Sequence, residues 1–151
     1  MKNLMIFVIV SCTIAFTAYG QNTDVPALVK IAFEQKISNA KDVEWEYDKE
    51  DKLWEVEYMI GKDEFTSAFD ENGKWEETEK EINFSDLPEP VKASLKADFT
   101  DYEVDEVEFV ETPDGEFYEV ELEKDNKKEV LELLISPDGK VVKKEQEKAG
   151  D

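Results

Sequence analysis

Leu53-Trp54-Glu55-Val56-Glu57-Tyr58 alternates large apolar and acidic side chains: Trp54, Val56 and Tyr58 take one phase, Glu55 and Glu57 the other. A period of two places successive side chains on opposite faces, which is the pattern of a half-buried β-strand. The pattern returns as Phe117-Tyr118-Glu119-Val120-Glu121-Leu122. Outward from these strands the spacing holds: Val43 answers to Val107, Trp45 to Phe109, Trp54 to Tyr118, Val56 to Val120, Phe69 to Ile135 and Gly73 to Gly139. Two copies of one small unit explain this register.

Each copy opens with a helix. Val25, Leu28, Val29, Ala32, Phe33 and Ile37 recur at intervals of three and four, with Thr23 or Asp24 as the expected N-cap and Pro26 in the first turn. Leu87, Val91, Leu95 and Phe99 repeat the stripe, with Ser85 or Asp86 as cap and Pro88 and Pro90 in the first turn. Strands are expected near Val43 to Asp48, Leu53 to Ile60, Glu64 to Asp70 and Lys74 to Glu79. The second set falls near Val104 to Glu111, Glu116 to Glu123, Glu129 to Ile135 and Lys140 to Lys144. Gly61-Lys62, Asn72-Gly73, Pro113-Asp114-Gly115 and Pro137-Asp138-Gly139 lie in short hairpin turns. The expected fold is α+β: tandem duplicated units, each a helix plus a four-stranded antiparallel meander, forming one curved sheet with helices on one face. The expected division is 1–20 a leader, 21–82 the first unit, 83–145 the second and 146–151 a polar tail.

The leader follows from Lys2, the apolar run Leu4 to Val10 and the small-x-small site Ala18-Tyr19-Gly20 before Gln21, the marks of a secretory signal peptide. The apolar run is too short to span a membrane. The mature chain is therefore expected in the periplasm or secreted, without a transmembrane segment. Ile9-Val10-Ser11-Cys12 outlines a lipobox, but Thr13-Ile14-Ala15-Phe16 stays apolar where a tether should be polar, so ordinary cleavage is preferred to a lipid anchor at Cys12.

The chemical alphabet narrows function further. The chain carries 39 acidic residues against 18 lysines, with no arginine or histidine and a single cysteine, for a net charge of -21. Phosphate recognition requires a basic surface, so nucleic acid is not expected as a partner. Imidazole bases, nucleophilic triads and thiolate or imidazole metal sites cannot be assembled. No cofactor and no enzyme activity are expected.

Asp86-Leu87-Pro88-x-x-Val91, the Tyr118-Glu119-Val120-Glu121 strand and the Asp138-Gly139-Lys140 turn resemble the PepSY-like, β-lactamase-inhibitor-like domains of exported bacterial proteins. Val25-Pro26-x-x-Val29, Trp54-Glu55-Val56-Glu57 and Asp70-x-x-Gly73-Lys74 repeat those marks in the first copy. The resemblance implies an exported α/β protein whose tandem units form a curved sheet backed by helices, and an inhibitory or restraining role toward an enzyme. This chain lacks the cysteines for the inhibitor's disulfides. Its turns at Gly61-Lys62 and Asp125-Asn126-Lys127 are too short to plug an active site.

Two sets of side chains are candidates for function. Val43, Trp45, Trp54, Val56, Tyr58, Phe65, Phe69 and Trp75 share the core phase with Val107, Phe109, Tyr118, Val120, Leu122, Leu131, Leu133 and Ile135. Trp75, at a sheet margin, could be an exposed aromatic anchor. Glu44, Glu46, Glu55, Glu57, Glu106, Glu108, Glu119 and Glu121 take the opposite phase and are expected on an uncovered face, where like charges side by side weaken a sheet. That face is either a solvated surface that resists aggregation or a binding surface for a protein partner with a basic surface. Calcium is a further alternative, although Ala68 stands where an EF-hand loop needs its first ligand. The expected function is a non-enzymatic binding module that inhibits or chaperones an exported peptidase or hydrolase through the acidic face. The alternative is an acidic structural or stress-related envelope protein without a specific protein target, one that binds cations.

Overall fold

The computed structural model describes residues 24–124 and 129–148. The leader, Cys12, Gln21, Thr23 and the Asp125-Asn126-Lys127 turn lie outside the described residues. Two helices, α1 (Ala27–Lys36) and α2 (Glu89–Asp98), accompany eight strands: β1 (Lys41–Asp48), β2 (Leu53–Ile60), β3 (Asp63–Asp70), β4 (Trp75–Glu81), β5 (Glu103–Thr112), β6 (Gly115–Lys124), β7 (Glu129–Ile135) and β8 (Val141–Lys148). The strands are hydrogen-bonded in chain order as one open eight-stranded antiparallel sheet. Two compact units divide within β4, between Glu77 and Thr78.

In the first unit α1 lays Val29 and Phe33 on the Trp54, Val56, Tyr58 and Phe69 face of β2 and β3. The Phe33 ring meets Trp45, Tyr58 and Phe69 edge to face, with centroids 5.3, 5.2 and 6.3 Å away. Edge-to-face contact sets the positive ring edge against the negative ring face. Tyr58 shares a 3.0 Å hydrogen bond with buried Ser67, its diagonal neighbour on the paired strand β3, which gives both hydroxyls a partner. The stripe is narrower than its periodicity suggests: Leu28 is 59% exposed and Ile31 also faces outward. A short helix on a sheet buries only the arc that touches it.

In the second unit Leu87, Val91 and Leu95 pack on Val107, Val120, Leu122, Leu131, Leu133 and Ile135. Each large side chain buried this way contributes about 1.5–3 kcal/mol. Neither helix has a side-chain cap. The cap positions are Pro26 and Pro88, and Phe84–Asp86 form a 3-10 turn ahead of α2, so Asp24, Ser85 and Asp86 do not cap as expected.

Three further expectations are corrected. Val43 is exposed, because the β1–β2 register slips between Lys41 and Glu44 and the bulge takes Val43 out of the core phase. Trp75 is half-buried rather than an exposed anchor: it packs against the core cluster, and Lys36 Nζ lies 3.3 Å over its ring. Strand β8 runs on to Lys148, well past the expected end at Lys144.

The turns that close β3–β4 and β7–β8 do more than reverse the chain. Gly73 and Gly139 have φ of +83° and +86°, and each also approaches a helix backbone. A Cβ on Gly73 would lie 2.7 Å from the Leu28 carbonyl oxygen, and one on Gly139 only 2.4 Å from that of Pro90. Each helix is thus pinned at its N-terminal end by a hairpin turn. Gly61 has a similar φ of +71° but open space around it. Gly61→Ala should therefore cost only the left-handed backbone term, about 1 kcal/mol, whereas Gly139→Ala and Gly73→Ala should cost about 2–4 kcal/mol. Urea unfolding midpoints of the three variants check this, and equal losses would rule out the pinning contact.

Candidate functional site

In each unit the strand phase turned away from that unit's own helix carries glutamates, but their burial differs between the units. In the first unit β1 and β2 pair Glu44 with Glu57 and Glu46 with Glu55. Glu44 and Glu46 on the edge strand β1, and Glu57 beside them on β2, are exposed; Glu55 is half-buried. Burial is the main cause that pushes the Glu55 carboxyl up to about 7, with the charges of Asp48, Glu46, Glu57 and Asp51 adding to it. Glu57 is raised too, first by burial and then by Glu64, Glu44 and Glu46.

In the second unit the expectation of an uncovered face fails. Glu108 and Glu119, directly paired across β5 and β6, are 9% and 6% exposed, and Glu106 and Glu121, the next pair, are half-buried. These strands have neighbours on both sides, and Val110, Phe117 and Leu134 share the face and are buried with them. Alternation along β6 identifies the glutamate phase, but Val110, Phe117 and Leu134, which share that phase across three strands, are what bury it. Val130 to Ile135, apolar at every position except Glu132, is the signal of a strand covered on both sides. Three further buried acids escaped sequence reasoning: Glu77, Glu79 and Glu132. Glu132 continues the acidic row, pairing with Glu121 on one side and Glu145 on the other.

Burial first, then the charges of Glu106, Glu81 and Glu121, push Glu108 up to about 7. Desolvation on a crowded central strand is what raises this glutamate.

Two hollows open among these acids. The first, about 350 Å³, has Met59 and Tyr58 in its lining and the carboxylates of Asp42, Glu44, Glu57 and Glu64 around it. The second, about 440 Å³, is lined by the apolar side chains of Ile82, Phe84 and Val104 and by Glu81, Asp105 and Glu106. Neither is lined by Glu55 or Glu108, so the two strongly shifted carboxyls do not face these hollows. Among the described residues, no group of three or more acidic, histidine or cysteine side chains is placed to hold a metal ion. The Asp70 carboxylate is engaged by its own turn: Asn72 and Lys74 amides each donate to Oδ1 at 2.8 Å. Burial by itself raises this carboxyl, but those two bonds, the Asn72 side-chain amide and the Lys74 charge together bring it below the ordinary aspartate value.

A family described as "Putative beta-lactamase-inhibitor-like, PepSY-like" matches residues 54–143. No curated protein matches the chain significantly. Among solved structures, a BLIP-like protein from Bacteroides fragilis is 23% identical, with a TM-score of 0.69 over 83% of this chain and 89% of that one. A Bacteroides eggerthii protein described as "putative periplasmic" is 19% identical, with a TM-score of 0.70 over 81% and 88% of the two chains. A DUF2874 family protein from Bacteroides ovatus is 20% identical, with a TM-score of 0.71 over 80% and 86%. These likenesses establish the fold. Among the described residues no helix is long and apolar enough to cross a membrane.

The shifted glutamates give the protein an unusual pH response. Between the ordinary glutamate value near 4.5 and about 7, the folded chain keeps protons on Glu55 and Glu108 that the unfolded chain has released. Their stabilising contribution is complete below the lower value and is lost as pH rises through the upper one. The melting temperature should therefore rise as pH falls from about 8 to about 5. Glu108→Gln should stabilise the fold at about pH 8 by about 1–3 kcal/mol and flatten this slope. A slope unchanged in Glu108→Gln would show that Glu108 does not carry the effect.

Proposed function

Because the chain belongs to the PepSY-like, β-lactamase-inhibitor-like family, we propose that it is an exported, non-enzymatic module built from two related units that binds a protein partner with a basic surface. The partner class is an exported peptidase or hydrolase, which the module inhibits or chaperones. Export is read from the leader at Met1 to Gly20 and from the likeness to a "putative periplasmic" protein. The observation that carries the binding surface is the exposed acidic group of the first unit. Glu44, Glu46 and Glu57 project from one face of β1 and β2, and Glu44 and Glu57, with Asp42 and Glu64, line a hollow that also exposes part of Met59.

Such a surface attracts a cationic partner from a distance and orients it before contact. Met59 gives the contact an adaptable apolar centre, since its unbranched side chain fits many shapes. The Glu108–Glu119 pair of the second unit is unsuited to this task, because carboxylates already removed from water cannot exchange hydration for a partner without first opening the structure.

The chain from Gln21, immobilised and exposed to the producing cell's envelope extract at low and high salt, should retain a partner at low salt that mass spectrometry identifies. Glu44, Glu46 and Glu57 changed together to Gln should slow association with the purified partner about tenfold and weaken its salt dependence, with dissociation changed less. Association rates unaffected by the triple change would exclude the acidic face as the contact. No partner at either salt would favour an acidic envelope protein without a specific target.

A further inference from the structure

We propose that the hollow of the second unit is a docking pocket for an extended, lysine- or arginine-bearing segment of a partner polypeptide. The inference rests on the reading of the chain as a protein-binding module, and it assigns that module a contact the acidic face of the first unit does not include.

The hollow exists because two chain segments part company. Pairing of β4 with β5 ends at Glu81 and Glu108, followed by a 2.9 Å bond from the Ile82 amide to the Val107 carbonyl. Beyond that point Asn83 leads into the 3-10 turn at Phe84–Asp86 and on to α2. Strand β5 continues back to Glu103, still paired with β6, and carries a register shift between Val104 and Glu106. The space between the diverging segments is about 440 Å³, room for more than one side chain.

Apart from Asn83, its lining is of two kinds. Phe84 is 45% and Val104 37% exposed, the largest open apolar side chains of this unit's lining, and Ile82 lies half-buried beside them. Glu81, Asp105 and Glu106 supply the carboxylates. A wholly apolar ligand would strip water from those carboxylates without replacing it, and an acidic one would be repelled. Lysine and arginine combine an aliphatic stem with a cationic tip, so the stem can lie along Phe84 and Val104 while the tip reaches the carboxylates. With a net charge of -21 the chain draws in cationic segments and repels anionic ones before contact is made.

The test uses the isotope-labelled chain and a blocked peptide of alternating valine and lysine, at about 50 mM salt and then at about 500 mM. Amide shifts should concentrate at 81–84 and 103–107, and binding should weaken as salt rises. Phe84→Ala and Glu106→Gln should each weaken binding about fivefold; both keep an amide spectrum that reports whether the fold is intact. A peptide of alternating valine and glutamate should produce no shifts. Glu44→Gln, in the first unit, should leave the valine–lysine titration unchanged.

Shifts centred on Glu44 and Glu57, equal binding of the glutamate peptide, or an affinity unmoved in both Phe84→Ala and Glu106→Gln would overturn the assignment. So would shifts at 81–84 that appear on concentrating the chain alone, which would mark a second copy as the occupant. If the pocket fails while a basic partner still associates through the first unit's glutamates, only this inference falls. If that association is also lost, the reading of the chain as a basic-partner module falls with it.

Discussion

A helix of ten residues does not hold together in water by itself, and a sheet of amphipathic strands cannot leave its apolar face wet. Each unit resolves both problems with one contact, Val29 and Phe33 on the aromatic face in the first and Leu87, Val91 and Leu95 on the aliphatic face in the second. Everything else in the units follows from keeping that contact in register. The tight turns at Gly73 and Gly139 set the backbone of a hairpin against the N-terminal end of a helix, so that sheet and helix are fixed at the turn as well as through side chains.

With one face committed to a helix, the opposite face becomes the place where charge has consequences. Rows of glutamate run across the strands, Glu44 beside Glu57 and Glu46 beside Glu55 in the first unit, Glu106, Glu121, Glu132 and Glu145 in the second. Position within the sheet decides what each row does. At the edge strand the carboxylates remain hydrated and form an electrostatic surface; on central strands the same residue type is crowded by Phe117, Val110 and Leu134 and is desolvated. The first situation suits encounter with a cationic protein. The second ties folding stability to protonation.

The sequence was most legible where periodicity and turn chemistry agree. All eight strands and both helices stand near their expected places, because alternation with a period of two and stripes with a period of 3.6 are direct consequences of backbone geometry. Asp70-Glu71-Asn72-Gly73 and Pro137-Asp138-Gly139 form the turns that their residues specify. Legibility failed where a residue's surroundings come from elsewhere in the chain. Val43 fits the alternation but loses its core place to a bulge, and Trp75 has the composition of an exposed anchor but is roofed by Lys36. Leu28 belongs to the helical stripe but falls outside the arc the sheet covers.

Residue type and local spacing alone specify the α+β class, the order of elements, the core-facing phase of the central strands β2, β6 and β7 and the strongly acidic character. Which glutamates stay in water and which are buried, where β4 parts from β5 to open a hollow, and why two turn glycines admit no side chain all come from the packed fold. Those outcomes depend on neighbours supplied by distant stretches of chain. Residue type fixes what a carboxylate can do, and the packing around it fixes whether it stays in water or is buried.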